Sequence, residues 1–165
     1  MKSTEMETVY LTREGLEKLR GELDRLVNTV RPRAAEMMAE ARTKGDLSEN
    51  AEFDAAREEL ASIDRRISEL RSKLNRVQII DLDSISTETV RVMSTVTLLN
   101  LKTGVEVEYT LVDPLQADPA NRRISFQSPI AAGLLGKRVG DETAISVPSG
   151  ELRFRVVGIE RARGI

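Results

Sequence analysis

Apolar residues in the first part of the chain recur at intervals of three and four. Such spacing places a continuous apolar stripe on one side of a helix and is typical of a heptad seam. We expect this helix to follow Thr12 as its N-cap and to run to about Lys44, with a bend rather than an end at Pro32. The stripe consists of Leu16, Leu19, Leu23, Leu26 and Val30, then the smaller or more flexible Ala34, Met37, Met38 and Ala41.

A second stripe of the same kind follows a short polar connector. It predicts a helix that begins between Ser48 and Ala51 and continues to about Val77. Two heptad helices joined by a short connector favour an antiparallel coiled-coil hairpin. About 30 residues per helix give a rod of roughly 45 Å, which suits reach or contact rather than an internal pocket. The second stripe consists of Phe53, Ala56, Leu60, Ile63, Ile67, Leu70, Leu74 and Val77.

From Ile79 onward, the period changes from helical spacing to alternation of apolar and polar residues. Alternation with a period of two predicts strands, and Thr103-Gly104 is a suitable turn between two of them. Ser128 before Pro129 predicts the cap and first residue of a short helix that ends near Leu135. This part of the chain is therefore predicted to form a compact antiparallel sheet with one helix.

The predicted fold class is α+β, with two domains. Residues 1–79 form an N-terminal antiparallel α-helical coiled-coil hairpin whose tip spans residues 44–53. Residues 80–165 form a small antiparallel-sheet domain with one short helix. This order of elements, helices first and strands afterwards, is typical of α+β proteins.

Composition restricts the chemistry available to the 165 residues. The chain has no Cys and no His, which excludes disulfide scaffolds, thiol nucleophiles, histidine relays and the usual transition-metal sites. With 25 basic and 27 acidic side chains the net charge is −2, too balanced for a bulk nucleic-acid coat. No apolar run approaches the roughly 20 residues of a membrane span, and the N-terminus lacks the apolar core of a signal peptide. We therefore expect a cytoplasmic protein with no membrane partner.

Two acidic residues, Asp46 and Glu49, stand three apart in the connector between the predicted helices. In one interpretation they form a capping box, in which Asp46 caps the second helix and Glu49 reaches back. In the other, two carboxylates at an exposed tip offer oxygen ligands to a hard cation such as Mg²⁺, with water or a partner completing the shell. Spacing alone leaves both interpretations open.

Longer motifs resemble those of the bacterial Gre family of transcript cleavage factors. The connector and its continuation read Lys44-Gly-Asp-Leu-Ser-Glu-Asn-Ala-Glu-Phe-Asp-Ala-Ala-Arg-Glu58, which is similar to the hairpin-tip motif of that family. The similarity spans nearly the whole chain. Further matching segments are Tyr10-Leu-Thr-x-x-Gly-Leu-x-x-Leu, Arg31-Pro32, Ser128-Pro-Ile-Ala-x-Gly-Leu-Leu-Gly-Lys137 and Pro148-x-Gly-Glu-x-x-Phe154.

The resemblance implies that bacterial RNA polymerase is the partner. In the Gre family the hairpin enters the secondary channel of the polymerase, where the nascent RNA 3′ end lies after backtracking. The resemblance then assigns Asp46 and Glu49 to a Mg²⁺ ion shared with the polymerase and not bound stably by the factor alone. The polymerase cleaves the RNA, so the factor itself is not an enzyme. Asn50 and Phe53 belong to the same tip motif. Asn50 either contacts substrate or orders the turn, and the alternative role of Phe53 is that of the first core residue of the second helix.

The resemblance also implies an FKBP-like fold for the C-terminal domain and docking on the polymerase through Ser128, Pro129 and Ile130. Their alternative role is the cap and start of a helix. The chain departs from the family pattern at Val92-Met93-Ser94, where the family often has Phe-Gly.

Arg20, Arg31 and Arg42 recur every eleven residues, about three helical turns. They form either a basic face that guides RNA through its phosphates or a set of ion pairs within the hairpin. We expect a monomer.

Two other functions remain as alternatives. One is a polymerase regulator of the same shape that plugs the channel without promoting cleavage; such relatives have altered acidic tips, whereas Asp46 and Glu49 are both present here. The other is a chaperone or adaptor that grips clients with the hairpin. A client-gripping tip should be apolar, and this one is acidic apart from Leu47.

Overall fold

The computed structural model describes residues 8–44 and 50–165. The chain forms two compact units. One consists mainly of Glu14–Val77, and the other consists of Gln78–Ile165 together with Tyr10–Arg13.

The first arm of the hairpin is helical from Arg13 to Thr43, but it is not uniformly α-helical. It comprises α1 (Arg13–Arg25), a π-helical turn (Leu26–Val30) and α2 (Arg31–Thr43). Its buried side chains lie at steps of seven, eight and seven residues, namely Leu19, Leu26, Ala34 and Ala41. A seven-residue step returns to within about 20° of the same helix face, whereas an eight-residue step in an α-helix would miss it by about 80°. The π-helical turn takes up the extra residue and keeps all four side chains on one stripe.

Pro32 lies directly after this turn and explains its position. In a regular α-helix the Asn28 carbonyl would accept a hydrogen bond from the N–H of residue 32, which proline lacks, and the proline ring would clash with that carbonyl. In the wider π-helical turn the preceding residue, Arg31, donates its N–H to the Leu26 carbonyl rather than to the Val27 carbonyl of an α-helix. The helix therefore continues through Pro32, as expected, with its distortion confined to the preceding turn.

The second arm is α3 (Ala51–Lys73), which packs along α2 and buries Ile63, Ile67 and Leu70. It ends four residues before the predicted boundary at Val77. A 3₁₀ turn (Leu74–Arg76) follows, and Val77 begins strand β2 (Val77–Ile79), which pairs with β1 (Val9–Leu11) in a two-stranded sheet. The prediction was wrong here because the β-branched Val77 continues the heptad spacing while its backbone takes strand pairing with a segment distant in sequence.

The second unit is a five-stranded sheet with one short helix, α4 (Pro129–Leu134). The strand order is β5-β4-β3-β7-β6, and every neighbouring pair is antiparallel except β4 and β5, which are parallel. The α+β fold class is thus confirmed, with one parallel pair where an antiparallel sheet was expected. The strands are β3 (Ser94–Asn100), β4 (Glu106–Val112), β5 (Arg123–Ser125), β6 (Glu142–Val147) and β7 (Gly150–Arg161).

The core of this unit lies between the sheet and α4. It contains the inward residues of β3, β4 and β7 and the buried side of the helix, so α4 is fixed by apolar packing against the sheet. Gly104 has a φ of 72°, which fits the predicted turn between β3 and β4. The core residues include Val96, Leu98, Leu111, Ala131, Leu134, Phe154 and Val156.

Met93 takes the left-handed backbone conformation that favours glycine. Its φ is 69° and its side chain is fully buried. Its N–H donates to the Leu111 carbonyl and its own carbonyl accepts from the Ala162 N–H, so neighbouring strands hold the backbone in this form. This is the position where the chain departs from the Phe-Gly of the family pattern, and buried packing offsets the strain there.

The role of the π-helical turn can be tested by deletion in a Pro32→Ala background. Removing the exposed Thr29 shortens the eight-residue step to seven, so the free energy of unfolding should stay within about 1 kcal/mol of the parent. Removing the exposed Gly21 instead rotates the Leu19 end of the stripe by about 100° and should cost about 2–5 kcal/mol. Urea unfolding followed by far-ultraviolet circular dichroism measures both. Equal losses would contradict the phase argument.

Candidate functional site

The two predicted tip carboxylates, Asp46 and Glu49, lie outside the described residues. The nearest described residues on either side are Lys44, just after α2, and Asn50, just before α3. The geometry of the site is therefore that of the two helix ends between which residues 45–49 run.

Asn50 is the N-cap of α3. Its side-chain Oδ1 accepts a hydrogen bond from the Phe53 N–H at 3.0 Å. Its Nδ2 donates to the Ala41 carbonyl on α2 at 2.7 Å. The N-cap of α3, which begins at Ala51, is thus Asn50, whereas Asp46 and Glu49 of the capping-box interpretation lie outside the described residues. Of the two roles left open for Asn50, its contacts support ordering of the turn.

Two further contacts join the arms near this end. The Arg42 guanidinium lies 6.0 Å from the centre of the Phe53 ring, a cation–π distance. The Lys44 ammonium lies 3.5 Å from a Glu52 carboxylate oxygen, with both side chains exposed. Phe53 is half-buried, so it serves as packing between the arms as well as a member of the tip motif.

The predicted basic face is interrupted by the fold. Because the π-helical turn lies between Arg20 and Arg31, these two residues are about 80° apart around the helix, whereas Arg31 and Arg42 remain about 20° apart. The Arg31 Nε lies 2.6 Å from Asp64 Oδ1 on α3. Hydrogen bonding and charge attraction to Asp64 raise the pKa of Arg31. Arg31 thus takes the ion-pair role within the hairpin, and the guidance of RNA by this face stays a prediction.

An ion-pair network that the sequence did not reveal joins the two arms of the hairpin. Arg66 on α3 lies 2.7 Å from Glu22 on α1 and 2.9 Å from Glu69, which in turn lies 3.3 Å from Lys73. The bond to Glu22 raises the pKa of Arg66 despite its partial burial. Burial alone would raise the pKa of Glu69, but bonds from Arg66 and Lys73 outweigh it and lower that pKa. The spacings of three and four residues between Arg66, Glu69 and Lys73 can be read from the sequence. The pairing of Arg66 with Glu22 on the other arm cannot.

The predicted docking residues lie at the start of α4. The Ser128 Oγ accepts a hydrogen bond from the Ala131 N–H at 3.2 Å, so Ser128 caps the helix. Pro129 is exposed, and the half-buried Ile130 packs against the sheet core. The helix-cap role is therefore confirmed for Ser128, and Pro129 offers the exposed surface of the three.

The described part of the chain does not provide a metal site. Among residues 8–44 and 50–165, no three His, Cys, Asp or Glu side chains are grouped so that they could hold an ion. Within the same ranges, no helix is long and apolar enough to cross a membrane.

Both halves of the chain match family models. Residues 9–79 match the model described as "Transcription elongation factor, N-terminal", and residues 85–161 match "Transcription elongation factor, GreA/GreB, C-term". The chain belongs to the GreA/GreB family of transcription elongation factors.

Curated relatives agree with this membership over nearly the full length. The chain is similar to "Transcription elongation factor GreA" of Chloroherpeton thalassium, with 46% identity over 92% of this chain and 96% of the relative. It is 45% identical to the protein of the same name from Christiangramia forsetii, over the same shares of the two chains. The resemblance to the Gre family is thereby confirmed.

Solved structures of GreA/GreB-related proteins are also similar to this chain. GreA factor homolog 1 (Gfh1) of Thermus thermophilus is 31% identical, with 93% of this chain and 99% of that chain covered and a TM-score of 0.43. A GreA/GreB factor from Nitrosomonas europaea is 24% identical, with 92% and 98% covered and a TM-score of 0.41.

The lowered pKa of Glu69 predicts a specific pH dependence. Its ionised form stabilises the hairpin above the ordinary pKa of a glutamate carboxyl, and this contribution disappears as the pH falls through the lowered pKa of Glu69. Glu69→Gln should cost at most about 1 kcal/mol at neutral pH, since the group is partly exposed, and should weaken the loss of stability on acidification. Urea unfolding at neutral pH and near pH 3 measures this. The exposed Glu36→Gln on α2 is the control, and the same pH profile in both variants would contradict the assignment.

Proposed function

We propose that this protein binds bacterial RNA polymerase through its secondary channel and stimulates the polymerase's own cleavage of backtracked RNA 3′ ends. The observation that carries the proposal is membership of the GreA/GreB family over both domains, together with an intact acidic tip motif. On this proposal the protein acts in the cytoplasm as a monomer. It is an elongation factor that depends on the catalytic centre of its partner.

The tip residues proposed for the chemistry are Asp46 and Glu49, which would hold Mg²⁺ jointly with the polymerase. Their chemistry fits the ion, because Mg²⁺ prefers carboxylate oxygens. Two carboxylates supply too few ligands for octahedral coordination, so the polymerase and water would provide the others. When bound, this Mg²⁺ would be the second ion of a two-metal site, in which one ion activates a water nucleophile and the other stabilises the leaving oxygen.

The contribution of the described residues is to support and orient the tip. The buried stripes of α1, α2 and α3 join the arms, while Arg31–Asp64 and Arg66–Glu22 link them on the surface. Asn50 closes the end next to the tip. A thin, internally bonded hairpin suits delivery of two carboxylates into a narrow channel, because catalysis by positioning requires the groups to be held before the substrate arrives.

The cleavage role is tested with arrested transcription complexes. Wild-type protein should shorten the RNA, and Asp46→Ala or Glu49→Ala should slow cleavage by about 10²-fold or more, because each removes a proposed ligand of the catalytic ion. Following RNA length on denaturing gels measures the rate. Glu59→Ala, an exposed carboxylate on the same hairpin, is the control and should act as wild type.

Three results would decide against the proposal. If wild type leaves the RNA unchanged but blocks nucleotide addition, the channel-plugging alternative is favoured. If it has no effect on the polymerase at all, the adaptor alternative is favoured. Normal cleavage by both tip variants would remove Asp46 and Glu49 from the chemistry.

If the start of α4 docks on the polymerase, substitutions there should weaken polymerase binding without destabilising the fold. Ser128→Asp retains a good N-cap while placing a charge at the proposed contact, and Pro129→Ala removes the exposed ring. Both should weaken polymerase binding about tenfold or more with little change in melting temperature. Thr103→Asp, which adds the same charge at the β3–β4 turn, is the control. Unchanged affinity of the two α4 variants in a binding titration would remove the docking assignment.

A further inference from the structure

One side chain bonds to both helices at the end of the hairpin. The Asn50 Nδ2 donates to the Ala41 carbonyl of α2, and its Oδ1 accepts from the Phe53 N–H of α3. Helix ends leave carbonyls at the C-terminus and N–H groups at the N-terminus without helical partners. Asn50 satisfies one group of each kind, on two different helices, with a single amide.

These two contacts require the donor and acceptor of an amide. A carboxylate at this position has only acceptors at neutral pH, and a serine hydroxyl is shorter and cannot span the same two partners. Ala41 lies in the last turn of α2, and its carbonyl also accepts the Lys44 N–H at 3.2 Å. The bond from Asn50 therefore reaches the C-terminal end of that helix. Asn50 is half-buried, which shields its bonds from competing water.

The other contacts at this end restrain the arms less. Lys44 and Glu52 are both exposed, and exposed ion pairs of this kind contribute little to stability. Arg42 and Phe53 interact at 6.0 Å, the outer limit of a cation–π contact. The geometry at this end therefore depends mainly on the directional bonds of Asn50.

We infer that Asn50 is a positioning residue for the tip: its bonds to Ala41 and Phe53 hold the end of α2 and the start of α3 together, and the tip segment is joined to these two helix ends. The inference rests on the proposed function. It differs from a role in substrate contact, because both polar groups of Asn50 are directed to the backbone of the hairpin itself.

Variants that separate the donor from the acceptor test this role. Asn50→Asp and Asn50→Ser retain an N-cap acceptor for α3 but lose the donor to Ala41, and Asn50→Ala loses both. At saturating factor, the Asp and Ser variants should each cleave arrested transcripts about tenfold or more slowly and need more Mg²⁺ for half-maximal rate, since displacement by about 1 Å can cost about 10²-fold. Their polymerase affinity and melting temperature should remain close to wild type. Asn28→Ser, at an exposed asparagine in the π-helical turn, is the matched control.

Wild-type rates and Mg²⁺ dependence in both Asn50→Ser and Asn50→Asp would overturn the inference. A defect in Asn50→Asp alone would also overturn it, because the added charge and not the lost donor would then be responsible.

A second readout needs no polymerase and separates this inference from failure of the proposed function. Since the chain has no cysteine, spin labels can be attached to cysteines placed at the exposed Glu40 and Glu59, one on each arm. The distance distribution between the labels should be narrow in the parent and broader in Asn50→Ser and Asn50→Ala. An unchanged distribution would show that Asn50 does not fix the arms, whatever the cleavage assay gives. If the distribution broadens but wild type does not stimulate cleavage, the proposed function fails and the positioning role of Asn50 fails with it, leaving only a structural clamp.

Discussion

The apolar stripe of the first arm must stay in phase while the chain passes Pro32. Leu19, Leu26, Ala34 and Ala41 face the second arm only if the eight-residue step between Leu26 and Ala34 behaves as seven. The π-helical turn at Leu26–Val30 achieves this, and it also removes the demand for the N–H that proline lacks. This one irregularity therefore keeps the apolar stripe in phase and accommodates Pro32, and the contact of α2 with α3 depends on it.

Apolar packing and ion pairs make different contributions to the stability of the hairpin. A fully buried Leu or Ile contributes about 1.5–3 kcal/mol, whereas an exposed ion pair contributes between zero and about 1 kcal/mol. The stripe containing Ile63, Ile67 and Leu70 thus supplies most of the stability. The pairs Arg31–Asp64 and Arg66–Glu22 contribute less energy, but each joins opposite arms and opposes sliding of one arm along the other.

Much of the fold followed from periodicity, and the errors have physical causes. Heptad spacing predicted both arms, and alternation with turn residues such as Gly104 predicted the sheet. Val77 satisfied the helical spacing and still became a strand, because pairing with β1 is a long-range contact that spacing does not encode. The D-x-x-E pattern suggested Asp46 as a cap in one of two open interpretations, whereas the N-cap of α3 is Asn50, which is followed by the acidic first-turn residues Glu52 and Asp54. The roles of Asp46 and Glu49 came from family resemblance, since spacing left them open and they lie outside the described residues.

The change in side-chain size along the first arm explains why the end near the tip needs a polar closure. Toward the tip the stripe passes from leucine to Ala34 and Ala41, while Met37 is 51% exposed, so less apolar area is buried there. Small residues let helices approach closely, but burying less area also gives less stabilisation. The bonds of Asn50 compensate at the place where packing is weakest. Directional bonds join the end of α2 to the start of α3 without bulky side chains, which is what the proposed entry into a confined channel would require.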